Sequence, residues 1–350
     1  MRKKQHYIPK FLLRNFSCDD LGKYLNIYLL DQSIIVNNGD LRNQCYDNHF
    51  YGKDQKIEEL YQIIESWFGG VQKKLLSGST DLNSDENDYI RIFILFQLNR
   101  TPQTEKLYND QLTLVMRETF RSHPEFGQHI NELAIEWNSS AAFSIKLSSG
   151  MIQNISDLKI GLLKSNSNKE FILGEQPVII LNPFLCQRKF AGRKQGLGQK
   201  GTVIVLPISP LYAIVLYDKE RYSFLNFKNV IELTDADTQL LNYCQFLQTD
   251  ECIYYKTLFS INTFESMGIN SCNYRKSIKA SLDTFEVSKH AHKNRRVLFM
   301  SKYDLPIEQN FSFIGIKNKA LSEPLNNIRD ITRDHVWKYE MHKQNTKENP

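Results

Sequence analysis

The sequence predicts an α+β fold: a short N-terminal β segment, a helical middle layer, and an antiparallel β block with a closing helix. Three observations predict it. Apolar residues recur at helical spacing between 53 and 147, most clearly at Ile57, Tyr61, Ile64, Phe68, Val71 and Leu75. Short β-branched runs crowd residues 158–232. The two textures follow one another instead of alternating, which separates this pattern from a βαβ repeat.

The elements are justified in order. Tyr24 to Val36 reads as two β runs around Asp31-Gln32, and Asn37-Asn38-Gly39 breaks the second. The stripe from Ile57 to Leu75 makes 54–76 a helix. Ser84 is a plausible N-cap for a second helix, with Asp85, Glu86 and Asp88 at its positive end. Thr101-Pro102 ends or kinks it. Further helix is expected at 104–121 and 126–147. Lys159–Lys164, a turn at Asn166-Ser167-Asn168, and Phe171–Leu173 look like a hairpin. Val178–Leu181, Thr202–Leu206 and Leu211–Tyr217 add strands, and Thr234 caps a helix running to about 250. Residues 1–260 are therefore expected to form one α+β domain, with 261–350 a mixed, basic extension packed on it.

The chain has 350 residues with 41% hydrophobic and 24% charged, ordinary globular usage that excludes a disordered or fibrous chain. Its net charge of +5 permits a polyanionic partner without demanding one. The 6 Cys form no C-x-x-C, which argues against a zinc ribbon or thioredoxin-type site and for reduced thiols. Met1–His6 is basic, but no apolar core of a signal peptide follows, and no apolar run reaches the ~20 residues that span a bilayer. The expected place is the cytoplasm, with no membrane partner. No G-x-S-x-G, H-E-x-x-H or Walker lysine is present, so hydrolase, zinc protease and NTPase readings lose ground.

Several strings stand out together: Gln5 to Phe16 (QHYIPKFLLRNF), Cys45 to Gly52, Glu58 with Glu65, Gln97 to Pro102 (QLNRTP), Phe171 to Pro177 (FILGEQP) and Leu206 to Pro210 (LPISP). In this order they resemble a bacterial family catalogued as domain of unknown function 4238, over roughly residues 5–256. Family members usually carry Asp in a T-S-D-N-P string, where this chain has Gly174-Glu175-Gln176-Pro177. The acid survives with a longer side chain, which weakens a metal-binding role there. The family name implies no activity.

Each motif residue carries a functional and a bland reading. His6 could be a general base or metal ligand acting with Arg14 on a phosphate; equally, it could bond a carbonyl while Tyr7, Phe11, Leu12 and Phe16 pin the arm in the core. Glu58 and Glu65 share a flank of the first helix, about 10 Å apart along its axis at ~1.5 Å per residue. They suit an acid/base pair, a shared metal, or salt bridges to Arg14 or Arg100. Gln97 and Arg100 lie at i, i+3 on one face, and the Arg100 fork suits carboxylate or phosphate. If Arg100 meets Glu65 its role is structural; if it opens to a cleft it holds an anion. Glu175, at a strand end beside a turn, is either a catalytic acid or a turn residue.

Gly196-Leu-Gly198-Gln-Lys-Gly201-Thr-Val203 mimics a nucleotide fingerprint, but β residues follow it where a helix is required. What remains is a flexible basic loop with Arg193, Lys194 and Lys200. A second basic stretch, 273–302, contains His290-Ala-His292 and reads as a charged surface. Three separate basic segments in a chain of modest net charge favour a positive face.

The expectation is a phosphodiester-cleaving, nuclease-type effector of a defence or toxin system. Its catalytic candidates are His6, Glu65 and Glu175; its substrate-binding candidates are Arg14, Gln97, Arg100, Arg193, Lys194 and Lys200; Mg²⁺ is the metal such chemistry would use. The competing expectation is a non-catalytic nucleic-acid, nucleotide or protein-binding module whose polar motif residues form a structural core network. The sharpest geometric expectation is that His6, Arg14, Glu65, Arg100 and Glu175 converge on one cleft, because lone buried polar groups are costly.

Overall fold

The N-terminal arm is the piece around which the rest is arranged. The computed structural model describes residues 4–52, 55–121, 123–125, 127–132, 140–166, 169–224, 230–257, 259, 262–268, 282–286, 296–300, 305 and 307–348. The fold is α+β. In chain order its strands and helices begin with β1 (Lys4–His6), α1 (Lys10–Arg14), β2 (Tyr24–Leu29), β3 (Ile34–Asp40) and β4 (Tyr46–Asn48). The helical layer is α2 (Gln55–Leu76), α3 (Ser84–Asn99), α4 (Pro102–Phe120) and α5 (Ser140–Gly150). There follow β5 (Lys159–Lys164), β6 (Leu173–Gly174), β7 (Ile179–Leu181), α6 (Pro183–Gln187), β8 (Val203–Pro207), β9 (Tyr212–Tyr217), β10 (Tyr222–Phe224), β11 (Val230–Glu232), α7 (Asp235–Gln248) and β12 (Cys252–Tyr255).

Two sheets frame the core. One has the order β11-β5-β9-β8-β7, antiparallel throughout except that β11 lies parallel to β5. The other has the order β3-β2-β12-β6, so the first hairpin is completed by a strand more than two hundred residues later. β1 pairs separately with β4, placing His6 opposite Tyr46. The stripe on α2 is buried as its spacing demands: Tyr61, Ile64, Phe68, Val71 and Leu75 all face the core. Phe68 stacks on Phe93 of α3 at 3.8 Å, and Phe11 of α1 packs against both rings. That aromatic trio fastens the arm to the helical layer.

The cap of α3 is Asn83 and not Ser84, because Asn83 can exchange bonds with Glu86 in a full capping box. Thr234 caps α7 in the same way with Asp237. Asn37-Asn38-Gly39 does not end β3, which continues to Asp40 past an irregular pairing with β2. Of the expected helix 126–147, Gly127–His129 is a single 3₁₀ turn and Ser140–Gly150 is α-helix, while 126 and 133–139 lie outside the described residues. The chain folds so tightly at Gly127 that an added Cβ would lie 2.5 Å from the Arg121 carbonyl. The expected hairpin of 159–164 with 171–173 does not form. Both edges of β5 are taken by β9 and β11, so β6 crosses to the other sheet and pairs with β12.

Described residues of the C-terminal region pack on this body through buried charge. Arg333, with a side chain only 2% exposed, pairs with Asp157 at 2.9 Å and donates to the Gln199 and Asn154 carbonyls. β10 pairs with Ile314–Ile316. Strands Leu282–Glu286 and Arg296–Met300 pair with each other; most of the basic stretch 273–302, including His290 and His292, lies outside the described residues. Among the described residues no helix is long and apolar enough to cross a membrane.

Candidate functional site

The conspicuous strings of the sequence meet around residues 4–16. Pro9 sets the extended entry to α1, and the Tyr7 amide bonds the Cys45 carbonyl at 2.9 Å. Asn15 donates to Ile208 of the Leu206–Pro210 string at 2.7 Å. Gln5 is fully enclosed: its carbonyl accepts from the Tyr51 amide at 2.6 Å and its amide donates to Gly52 and to Glu58. The Tyr51 hydroxyl donates to the His6 carbonyl at 3.0 Å.

From this arm a buried polar chain runs inward. Gln97 of α3 donates to the Tyr7 carbonyl at 3.0 Å and accepts from Arg100 Nε at 2.9 Å. Arg100 Nη1 meets Glu65 of α2 at 2.8 Å, with the guanidinium 4.9 Å from the Tyr61 ring centroid. At the other end of Tyr7, its hydroxyl donates to Glu175 Oε1 at 3.4 Å, while Glu175 Oε2 accepts from the Glu251 amide at 3.0 Å. Gln176 bonds Thr101 and Thr104 at the start of α4, and its carbonyl accepts from Gln245 and Gln248 of α7. Gly174 is glycine for lack of room, since a Cβ would lie 1.9 Å from the Thr249 hydroxyl. Gly174→Ala is expected to cost about 1–3 kcal/mol by overpacking, and a melting curve indistinguishable from the parent would contradict that placement.

The electrostatics follow from burial. Burial lowers His6 to about 4, assisted by the charges of Lys10, Lys4 and Arg100 and opposed by a bond to the Arg42 main chain. At neutral pH the ring is uncharged, and its Nε2 is buried without a partner. Burial pushes Glu175 up to about 7; the Glu251 amide pulls the other way, and the Glu251 and Asp250 charges add to the rise. Burial also raises Tyr7. Burial opposes the Arg100 charge, yet Tyr51, Glu65 and Tyr61 hold its pKa above the ordinary value. Arg100 Nη2 and the Tyr61 hydroxyl are likewise buried with no hydrogen-bond partner among the described residues.

The expected convergence on one cleft has a narrower counterpart here, a chain of hydrogen bonds. Gln97, Arg100 and Glu65 are linked to the Tyr7 carbonyl and Glu175 to the Tyr7 hydroxyl, so Glu65 and Glu175 are bound toward opposite ends of Tyr7, and His6 precedes Tyr7 in the arm. Arg14 is not in that network: its side chain is exposed on the outer side of α1, its stem over Gly22. In a five-residue helix that buries Leu12 and Leu13, position 14 has to face out. Lys200 is also placed elsewhere. Its ammonium pairs with Glu323 at 3.0 Å, a carboxylate shared with Arg221, and its amide bonds Ile331. The expected flexible basic loop is therefore tied down, with Gln199 bonding the Arg193 carbonyl and the Gly196 amide. Arg193 and Lys194 on that loop are half-buried. Among the described residues no three His, Cys, Asp or Glu side chains are placed to hold a metal ion, and Glu65 is already engaged by Arg100. These residues do not fit the Mg²⁺ expectation.

Sequence reasoning passed over Gln5, Tyr51, Tyr61 and the linking role of Tyr7. Tyr7 and Tyr61 occupy apolar positions and read as core, which they are; the usable signal was that each carries a hydroxyl into an apolar stripe.

No curated protein and no solved structure matches the chain. The profile of a protein family of unknown function matches residues 4–258, a span containing the arm, the end of α3 and the Glu175 turn, and the chain belongs to that family, DUF4238.

Proposed function

We propose that the chain is a binding module that recognises a phosphate group, of a nucleotide or nucleic acid, beside His6 and Arg100. One observation carries this reading: a largely buried, neutral imidazole with a bare Nε2 lies in the field of Lys10, Lys4 and Arg100, whose charges add to burial in depressing its pKa, and Arg100 Nη2 is likewise without a hydrogen-bond partner. Such a setting offers donors and positive potential to an anion, and a lone pair to a ligand hydroxyl. Glu65 and Glu175 serve there as framework, each already engaged by protein donors. We place the protein in the bacterial cytoplasm, in a defence or toxin setting.

A second reading keeps the nuclease chemistry in metal-independent form, favoured by the unpartnered His6 Nε2. Its weakness is proton affinity: a ring titrating near 4 is a poor base at neutral pH.

The test is binding and cleavage of labelled oligonucleotides and nucleotides by parent, His6→Gln and Arg100→Lys. Losing the His6 bond to the ligand hydroxyl, or the forked Arg100 contact with the phosphate, should weaken binding roughly tenfold, and affinity should fall with salt. Binding without cleavage, lost in both variants, supports the module. Cleavage abolished by His6→Gln would transfer the assignment to a nuclease. No binding at low salt ends both.

A further inference from the structure

Helix α2 carries an outward face that the described residues leave exposed. Its inward stripe buries Tyr61, Ile64, Phe68, Val71 and Leu75. The opposite line is Glu59, Gln62, Ile63, Ser66, Trp67, Gly70 and Lys73, all exposed. A solvent-facing line on an amphipathic helix is ordinarily polar. Here Ile63 is 46% and Trp67 41% exposed, and the Trp67 ring is held in place by stacking on Tyr89 of α3 at 5.3 Å. A fixed aromatic beside a bare isoleucine is a prepared apolar patch.

Two further features say what covers it. Gly69 and Gly70 sit in the middle of the helix, and a Cβ on either would meet nothing within 4 Å. Glycine in a helix interior destabilises it relative to alanine, and none of the described residues uses the space. Close approach of another backbone would use it. The charges are also ordered along the line, with Glu59 seven residues before Ser66 and Lys73 seven residues after. Among the described residues neither Glu59 nor Lys73 makes an ion pair.

We propose that this face docks on the same face of a second copy of the chain, with the two α2 helices antiparallel about a two-fold axis at Ser66. Antiparallel register sets Glu59 of each copy against Lys73 of the other. It lays each Ile63 over the opposing Gly69-Gly70 gap and brings the two Trp67–Tyr89 stacks together at the centre. The arrangement is isologous, so every contact occurs twice and the assembly closes at a dimer. A parallel arrangement would set Glu59 against Glu59 and Lys73 against Lys73. The interface is independent of the phosphate reading, since it uses the opposite face of α2 from Tyr61.

The experiment is sedimentation velocity of the full chain across micromolar to hundred-micromolar concentrations. The parent is expected to show a concentration-dependent monomer–dimer equilibrium. Ile63→Glu, an exposed change that leaves the core untouched, should raise the dimer dissociation constant at least tenfold. Glu59→Lys and Lys73→Glu should each weaken the dimer at low salt, and the double variant should restore it. A parent that stays monomeric throughout overturns the proposal, as does a dimer indifferent to Ile63→Glu. Failure of the charge-swapped double variant to recover overturns the antiparallel register.

Discussion

Glu65→Gln is expected to destabilise the protein by about 3 kcal/mol, the low end of the range for stripping one partner from a buried ion pair. The reason is the state of Arg100. Its side chain is 2% exposed and depends on Glu65 for its counter-charge, while Glu65 itself keeps 25% of its surface. Gln97 and the Tyr61 ring would still face the guanidinium in the variant, but neither carries charge. Removing both members, as in Glu65→Leu with Arg100→Met, should recover much of the loss, because no orphaned charge remains. Urea melts of the two singles and the double give the coupling directly. A Glu65→Gln variant within ~0.5 kcal/mol of the parent would mean that Arg100 is solvated.

The second large effect is a change in the pH profile of stability. Glu175 titrates near 7 in the folded chain, above its ordinary value of 4.5. Between those values the folded chain holds a proton that the unfolded chain releases. Stability therefore falls as pH rises, by up to ~1.4 kcal/mol per pH unit, or about 3 kcal/mol over the window. His6 has the opposite sign. Its folded value near 4 lies below 6.5, so its contribution is present at neutral pH and is lost as pH falls through that interval. Its ring is partly exposed, so solvent screens the effect and Glu175 dominates. Melts of the parent from pH 5 to 8 should show declining stability. Glu175→Gln should remove that decline and leave a profile that rises with pH through His6. His6→Gln should steepen the decline. Parallel profiles for parent and Glu175→Gln would show that the carboxyl is not buried as described.

The sequence alone determined whatever rests on local chemistry. The 3.6-residue stripe of α2, the β-branched runs of β8 and β9, and the cap at Thr234 are each written in neighbouring residues, whose energies are decided over a turn or two of chain. The resemblance that picks out His6, Gln97, Arg100 and Glu175 is legible in the same way. Tertiary structure alone decided the partners. Whether Phe171–Leu173 returned to β5 depended on β9 and β11 taking both of its edges, which no turn signal encodes. Whether Arg14 or Arg100 met Glu65 depended on which way a five-residue helix faced once Leu12 and Leu13 were buried. The choice for Lys200 was made by Glu323, more than a hundred residues away. Side-chain charge is a property of one residue, but its neutralisation is a property of two, and only the packed chain says which two.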